Sequence, residues 1–344
     1  MPSDAAPSIG AAVNDDDRGS RDSQRMTVLF TSAGTNVALI RCFRTAATTL
    51  GIALRVLAAD QHPDQAPACL LAEGGHRVPS ADDDDYLDEI EALCRDHHVG
   101  LVVPCGVREL GPLSTMHDAL GAFGTRLALA PAALVDPLLD LWQWQEIALG
   151  AGAAVPRIGG RAEIAENPDG WRWPLVARAI RSGGNVTPAR IIRTPTEMLL
   201  LDPDRAVVLQ EIPRGERFVL QLLFNDEGTL LGVATCHIIA GADSDIARTV
   251  NDRQLTALAR RLAKLLPMAR GPLAIDAVRQ ADGAILIDRM LPMLADTYPL
   301  VDCAGAKMAQ ALLAQALGCP IPHPIEMEDH FTMLTYPMPL FLAG

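Results

Sequence analysis

The spacing of apolar residues alternates between two periods along this chain, and each switch marks an element. TVLFT at 27–31 is an apolar run of strand length, Gly34 supplies a turn, and VALIRCFRTAATTL carries the three-to-four spacing of a helix over 36–50. A second strand at 54–58 ends at Asp60, which completes a β-α-β pattern. DDDDYLDEIEALCRDHHV is a helix with an acidic N-terminal turn, favoured by the helix dipole, and His97 and His98 close it as capping residues. GLVVPCG is a strand, 108–120 a helix and 126–130 a short strand. A first α/β unit therefore ends near residue 135.

The pattern then changes to helix 137–150, strands 174–179 and 189–193 around the polar loop RSGGNVTP, and strand 206–212. A hairpin over 217–239 turns at Asn225–Gly228. Helix 252–267, a hairpin over 272–290 and helix 304–317 follow. Residues 1–25 are polar, charged and poor in large apolar groups, as expected of a disordered tail. The Pro- and Met-rich end should pack along a domain surface.

Length and charge narrow the function. A chain of 344 residues suits two or three packed units, and 49% hydrophobic residues is ample for their cores. A formal charge of −13 repels nucleic acid and anionic membranes. No run of about 18 apolar residues and no signal-peptide pattern occurs, so a soluble, cytoplasmic protein is expected. The seven cysteines are scattered without CxxC pairs, which suits reduced thiols rather than disulfides or zinc. The Gly34 turn lacks G-x-G-x-x-G spacing, which argues against a dinucleotide site. No nucleophile elbow, H-E-x-x-H or Walker motif is present. Cys236 and His237 are adjacent on a strand and point to opposite faces, so they form no catalytic pair.

Five motifs in order resemble the carbamoyl-phosphate-synthase-like branch of the ATP-grasp superfamily, from about residue 26 to 320. TSAGTNVALIRCFR resembles T-S-x-G-R-R-x-x-L-x-x-x-F. VVPCGVREL resembles I-P-T-x-D-x-E-L, with Glu109 and Leu110 kept. PLVARAIRSGGN resembles P-x-V-x-K-P with its glycine loop, and VVLQEIPRGERF resembles V-x-Q-E-x-x-x-G-x-E-Y. Residues 271–300 resemble the metal-binding hairpin. The resemblance implies an ATP-grasp fold of mixed α/β and α+β character. A Rossmann-like N-terminal domain at 26–135 would precede a small lobe at 136–205 and a large lobe at 206–344, the two lobes closing on a cleft. In such proteins a carboxylate is activated by ATP as an acylphosphate and captured by an amine or thiol.

Carried over residue by residue, the resemblance puts Arg178 on phosphate, Ser182, Gly183 and Gly184 over the phosphates, and Gln210, Glu211 and Ile212 beside adenine. It puts Asp276 and Asp288 on Mg²⁺. Three departures weaken both ATP and Mg binding. Leu141 stands where an ATP-binding Lys is usual. Arg217 stands where a Glu accepts from ribose, and a guanidinium has no acceptor. In the ungapped hairpin, Arg289 takes the metal-binding Glu slot and Leu291 the Asn slot. A register one residue tighter returns Asp288 to the Glu slot. Strand alternation then makes the two registers exclusive: 289 and 291 face the cleft, or 288 and 290 do. Gly283 and Tyr298-Pro299 fit the ungapped register, in which Asp276 should pair with an arginine. The leading expectation is a degenerate ATP-grasp protein that binds a ligand or serves an active ligase or carrier protein, and that forms a homo-oligomer. The alternative is a working carboxylate–amine (or thiol) ligase with a remodelled Mg site, acting on a small carboxylate or amine.

Overall fold

In the computed structural model, residues 24–182, 189–201, 207–240, 245–321, 326–336 and 338–341 are described. The disordered tail expected at 1–25 lies almost wholly outside them. Strands β1 (Arg25–Thr31), β2 (Ala53–Asp60), β3 (Gly74–Arg77), β4 (Val99–Pro104) and β5 (Arg126–Leu127) form a parallel sheet in the order β3-β2-β1-β4-β5. Helices α1 (Val37–Leu50), α2 (Pro67–Leu71), α3 (Tyr86–Asp96), α4 (Leu110–Leu113) and α5 (His117–Gly121) connect them. Consecutive residues Val28, Leu29 and Phe30 are all inaccessible, because helices cover both faces of a parallel sheet. Asp60 ends β2 by accepting from Gly34 N–H at 3.0 Å and His62 N–H at 3.0 Å, so the acidic strand end braces the first turn.

The helix expected over 108–120 is broken into a 3-10 turn at Val107–Glu109 and the short helices α4 and α5. Ser114 turns its hydroxyl back to Gly111 O at 2.6 Å, a local bond that competes with helix continuation. The acidic run is only partly helical, since α3 begins at Tyr86 with Asp85 at its N-cap. Next come α6 (Ala132–Leu139) and α7 (Leu141–Gly150). Asp140 separates the two by accepting from Trp142 and Gln143 N–H, so the helix starts later than its apolar pattern suggests.

A four-stranded sheet, β6-β9-β7-β8, is built from β6 (Ile158–Gly159), β7 (Leu175–Ala179), β8 (Arg190–Ile192) and β9 (Val207–Glu211). Helices α8 (Arg161–Glu166) and α9 (Pro195–Leu199) accompany it. Its small core includes Trp171, Leu175, Ile192 and Leu209. The third sheet is six-stranded, in the order β14-β13-β10-β11-β12-β15. Its strands are β10 (Glu216–Phe224), β11 (Leu230–Ala240), β12 (Asp245–Thr249), β13 (Gly271–Arg279), β14 (Ile285–Leu291) and β15 (Thr332–Leu334). The C-terminal end thus adds an edge strand, and Tyr336, Met338 and Phe341 beyond it are exposed.

One face of this sheet carries Phe218, Leu220 and Ile275 onto Leu255, Leu258 and Leu262 of α10 (Arg253–Lys264). The other face is left for a pocket. His237 stacks on Phe218 with ring centroids 4.9 Å apart, and its neighbour Cys236 pairs with Val219 of the pocket face. Two further helices, α11 (Tyr298–Cys303) and α12 (Met308–Ala316), tie this lobe to α1 through a shared core containing Phe43, Tyr298 and Leu312.

Gly215 opens β10 at φ +146°, and a Cβ there would lie 2.0 Å from the Arg279 carbonyl oxygen of β13. The oxygen it would meet belongs to the backbone and cannot swing aside, so relief requires the strands to part. Gly215→Ala is expected to cost about 3 kcal/mol or more, read as a lowered urea midpoint with an unchanged m-value.

Candidate functional site

The β13–β14 hairpin does not choose between the two registers, because it contains a bulge. Asp276 pairs with Arg289 while Ala277 pairs with Ile287, leaving Asp288 as an extra residue. The expectation that 288 and 289 exclude each other from the cleft is thereby corrected. Ile287 and Met290 both reach the core face and are inaccessible. The bulge lets the ILIDRML pattern fill the core without burying a carboxylate there.

Each aspartate finds a guanidinium. Asp276 Oδ2 accepts from Arg289 Nε at 2.9 Å and lies 2.7 Å from Arg289 Nη2. Asp288 turns towards the small sheet, where Oδ1 accepts from Gln210 Nε2 at 2.7 Å and Oδ2 lies 3.4 Å from Arg178 Nη2. Arg178 Nη1 also reaches the Asp288 carbonyl at 3.3 Å. Side chains given separate phosphate, adenine and metal roles by resemblance therefore form one cross-lobe cluster. Gln210 is inaccessible, and its Oε1 has no donor among the described residues.

Glu211 is buried and bound by Arg172 at 2.6 Å, and Ile212 follows at the end of β9, half-buried. The Ser182 N–H donates to Leu139 O at 2.7 Å, whereas Gly183 and Gly184 lie outside the described residues. Leu141 is buried at the start of α7, and Trp142 beside it is exposed.

The free face of the large sheet forms one wall of a pocket of about 650 Å³. Arg217, Asp276 and Arg289 line it with Asp296 and Thr297, and Cys105 and Val107 reach it from the end of β4. Val219, Ile238, Leu291, Met293 and Met333 make most of the remaining wall apolar. Its size is that of a small-molecule site.

A Mg²⁺ ion does not fit the hairpin as built. It demands several oxygen ligands in near-octahedral array. Here a guanidinium occupies Asp276, and Asp288 is held by Arg178 and Gln210. Among the described residues, no group of three His, Cys, Asp or Glu side chains could hold a metal.

At the neighbouring C-terminal ends of β1 and β4, where the strand order reverses, Glu109 is inaccessible. Oε2 accepts from Ser32 Oγ at 2.7 Å and Tyr86 OH at 2.6 Å; Oε1 accepts from Cys105 and Gly106 N–H, each at 2.9 Å. Burial pushes the Glu109 carboxyl above the usual range, and the bonds from Tyr86, Ser32 and Gly106 oppose that rise. This network fixes the loop carrying Cys105 and Val107 into the pocket.

Parallel domain, two antiparallel sheets and intervening cleft together make the ATP-grasp fold, and solved structures bear this out. N5-carboxyaminoimidazole ribonucleotide synthetase in an ADP complex is 16% identical with a TM-score of 0.64, over 90% of this chain and 80% of that one. The biotin carboxylase domain dimer of 2-oxoglutarate carboxylase from Hydrogenobacter thermophilus, solved with MgADP, ADP and bicarbonate, is 16% identical. Its TM-score is 0.65, over 88% of this chain and 72% of that one. The N5-carboxyaminoimidazole synthase of Aspergillus clavatus, with ADP and 5-aminoimidazole ribonucleotide, scores 0.63 at 16% identity, over 89% of this chain and 80% of that one. Within that fold, residues 28–128 match the family of PylC-like N-terminal domains. No curated protein sequence matches the chain.

Sequence reasoning missed Ser32 and Tyr86 as partners of Glu109, and Asp296 and Thr297 as pocket residues. Ser32 and Glu109 stood in matched motifs, at the ends of what prove to be adjacent strands, which was a usable signal. Tyr86 carried none, whereas Asp296 and Thr297 lay in the matched stretch 271–300 and in a loop, 293–303, open to acceptor recognition, without being singled out.

Proposed function

We propose that this chain is an ATP-grasp protein whose cleft binds a small ligand, or presents itself to a partner protein, without working as an ADP-forming ligase. The observation that carries this reading is the Arg289 guanidinium on Asp276, which supplies a positive charge where the fold family holds a dication. Leu141 and Arg217 support it by removing a cation and an acceptor from two further sides of one nucleotide. Each lost charge-assisted contact is worth about 1.5–3 kcal/mol, or roughly tenfold to a hundredfold in affinity. The reading keeps the division of the chain at about 135 and 205. It assigns the ligand to the pocket between the large sheet and the β4 loop. No helix among the described residues is long and apolar enough to cross a membrane.

The test is calorimetric titration of the purified chain with Mg-ATP. Heat no greater than dilution at millimolar nucleotide is expected, and tight saturable binding would remove the reading. A working carboxylate–amine ligase is the second reading, favoured by Arg178 and Gln210 meeting Asp288 across the cleft. It requires ADP release with an acid and an amine, abolished by Asp276→Asn.

A further inference from the structure

Two charges in the pocket have no opposite charge paired with them among the described residues. Among the described residues, Arg217 pairs with no carboxylate and Asp296 with no cation, whereas Asp276 and Arg289 satisfy each other. The unpaired charges stand at opposite ends. Arg217 and Gln221 share one face of β10, four residues apart, which at about 3.3 Å per residue is on the order of 13 Å. Gln221 Nε2 donates to Thr297 Oγ1 at 3.2 Å, so the 296–297 corner belongs to the Gln221 end. Gln221 is only 2% exposed, and its Oε1 has no donor among the described residues, leaving that corner rich in acceptors. Val219 lies between the ends, in register with Asp276 of the neutral ion pair, and Leu291 lies across Ala274 in the row of Gln221.

We propose that the pocket binds an extended zwitterion with its carboxylate at Arg217 and its ammonium at Asp296. Guanidinium suits the first because it donates in a fork and accepts nothing; the acceptor corner suits the second because an ammonium only donates. An α-amino acid holds its charges too close together to reach both ends. The fitting chemistry is an aliphatic chain carrying a terminal amine and a terminal acid, supplied by an ω-amino acid or by a short apolar peptide with free termini. Because the Arg289–Asp276 pair is already neutral, no metal is needed. This assignment rests on the ligand-binding reading above.

The experiment is calorimetry on the full chain, without nucleotide or metal, using 8-aminooctanoate, trialanine, octanoate, octylammonium and 2-aminooctanoate as probes. Saturable binding of 8-aminooctanoate or trialanine is expected, about tenfold tighter than either singly charged chain or the α-amino acid, as one charge-assisted contact predicts. The tighter of the two zwitterions identifies the source. Arg217→Gln should weaken zwitterion binding about tenfold and leave octylammonium unchanged, while Asp296→Asn should weaken it and leave octanoate unchanged. Octanoate binding as tightly as 8-aminooctanoate, or no saturable binding by any probe, overturns the assignment. Mg-ATP titration is read separately. Zwitterion binding alongside tight Mg-ATP binding would fell the non-ligase reading and leave this one standing. Absence of both would fell this one alone.

Discussion

Replacing Glu109 by leucine is expected to destabilise the protein by about 3–5 kcal/mol, measured as the free energy of urea unfolding. The volume is nearly kept, so the loss comes from four donors. Ser32 and Tyr86 hydroxyls and the Cys105 and Gly106 N–H groups would be left without their acceptor. Glu109→Gln should cost less, about 1–2 kcal/mol. Its amide oxygen can still take the two backbone donors, and the hydroxyls can rotate to accept from its NH₂. A loss for leucine no larger than for glutamine would show that packing, not the acceptor, holds this loop.

The same carboxylate fixes the sign of a pH effect. Burial raises the folded pKa of Glu109 above its unfolded value, so between those two values the native state binds the extra proton. Its contribution to stability is therefore full below the unfolded carboxylate pKa and is lost as pH rises through the folded one. Wild type should gain on Glu109→Gln as pH falls from neutrality, against the usual trend for paired carboxylates. A constant gap between the two proteins across that range would contradict the assignment.

Arg289→Glu is the second substitution with a large expected effect, because it reverses the charge on the hairpin. In the native chain Asp276 already has its counter-ion, and Mn²⁺, used as a spectroscopic stand-in for Mg²⁺, should not bind saturably up to roughly 10 mM. In the variant two carboxylates face each other across β13 and β14. Without metal they repel, raise the pKa of one partner and cost about 0.5–1 kcal/mol at this half-exposed site. With metal they become oxygen ligands, and a dissociation constant near ~0.1–1 mM is expected, read from the fall of the free Mn²⁺ resonance. Stability should return in step with metal binding. A variant that binds no better than the native chain would mean that the bulge, rather than the charge of Arg289, keeps metal out.

Much of this architecture was legible in the order of elements. Apolar runs bounded by Gly34, Gly283 and the Asn225–Gly228 turn placed the strands, since a strand buried on both faces has no other composition open to it. Where helices were misjudged, short-range polar groups decided. Ser114 and Asp140 bond their own backbone, and such bonds are local details that apolar periodicity does not encode. The β4 motif gave Glu109, but its partners Ser32 and Tyr86 lie 77 and 23 residues away: Ser32 meets it because β1 and β4 are neighbours, Tyr86 because α3 packs on β4.

The sequence by itself pointed to the ATP-grasp fold, because the order and spacing of its motifs can be read without coordinates, and it raised the expectation that Leu141, Arg217 and Arg289 replace nucleotide and metal contacts. It also pointed to the pairing of Asp276 with an arginine. Only the tertiary structure decided where Asp288 goes. A pattern of period two admits two faces, whereas the bulge at Asp288 takes that residue out of the alternation and sends its carboxylate across the cleft to Arg178 and Gln210. The pocket charges were decided there as well. Arg217 and Asp296 are 79 residues apart in sequence, and whether either has a counter-ion depends on distances that only the packed sheets set.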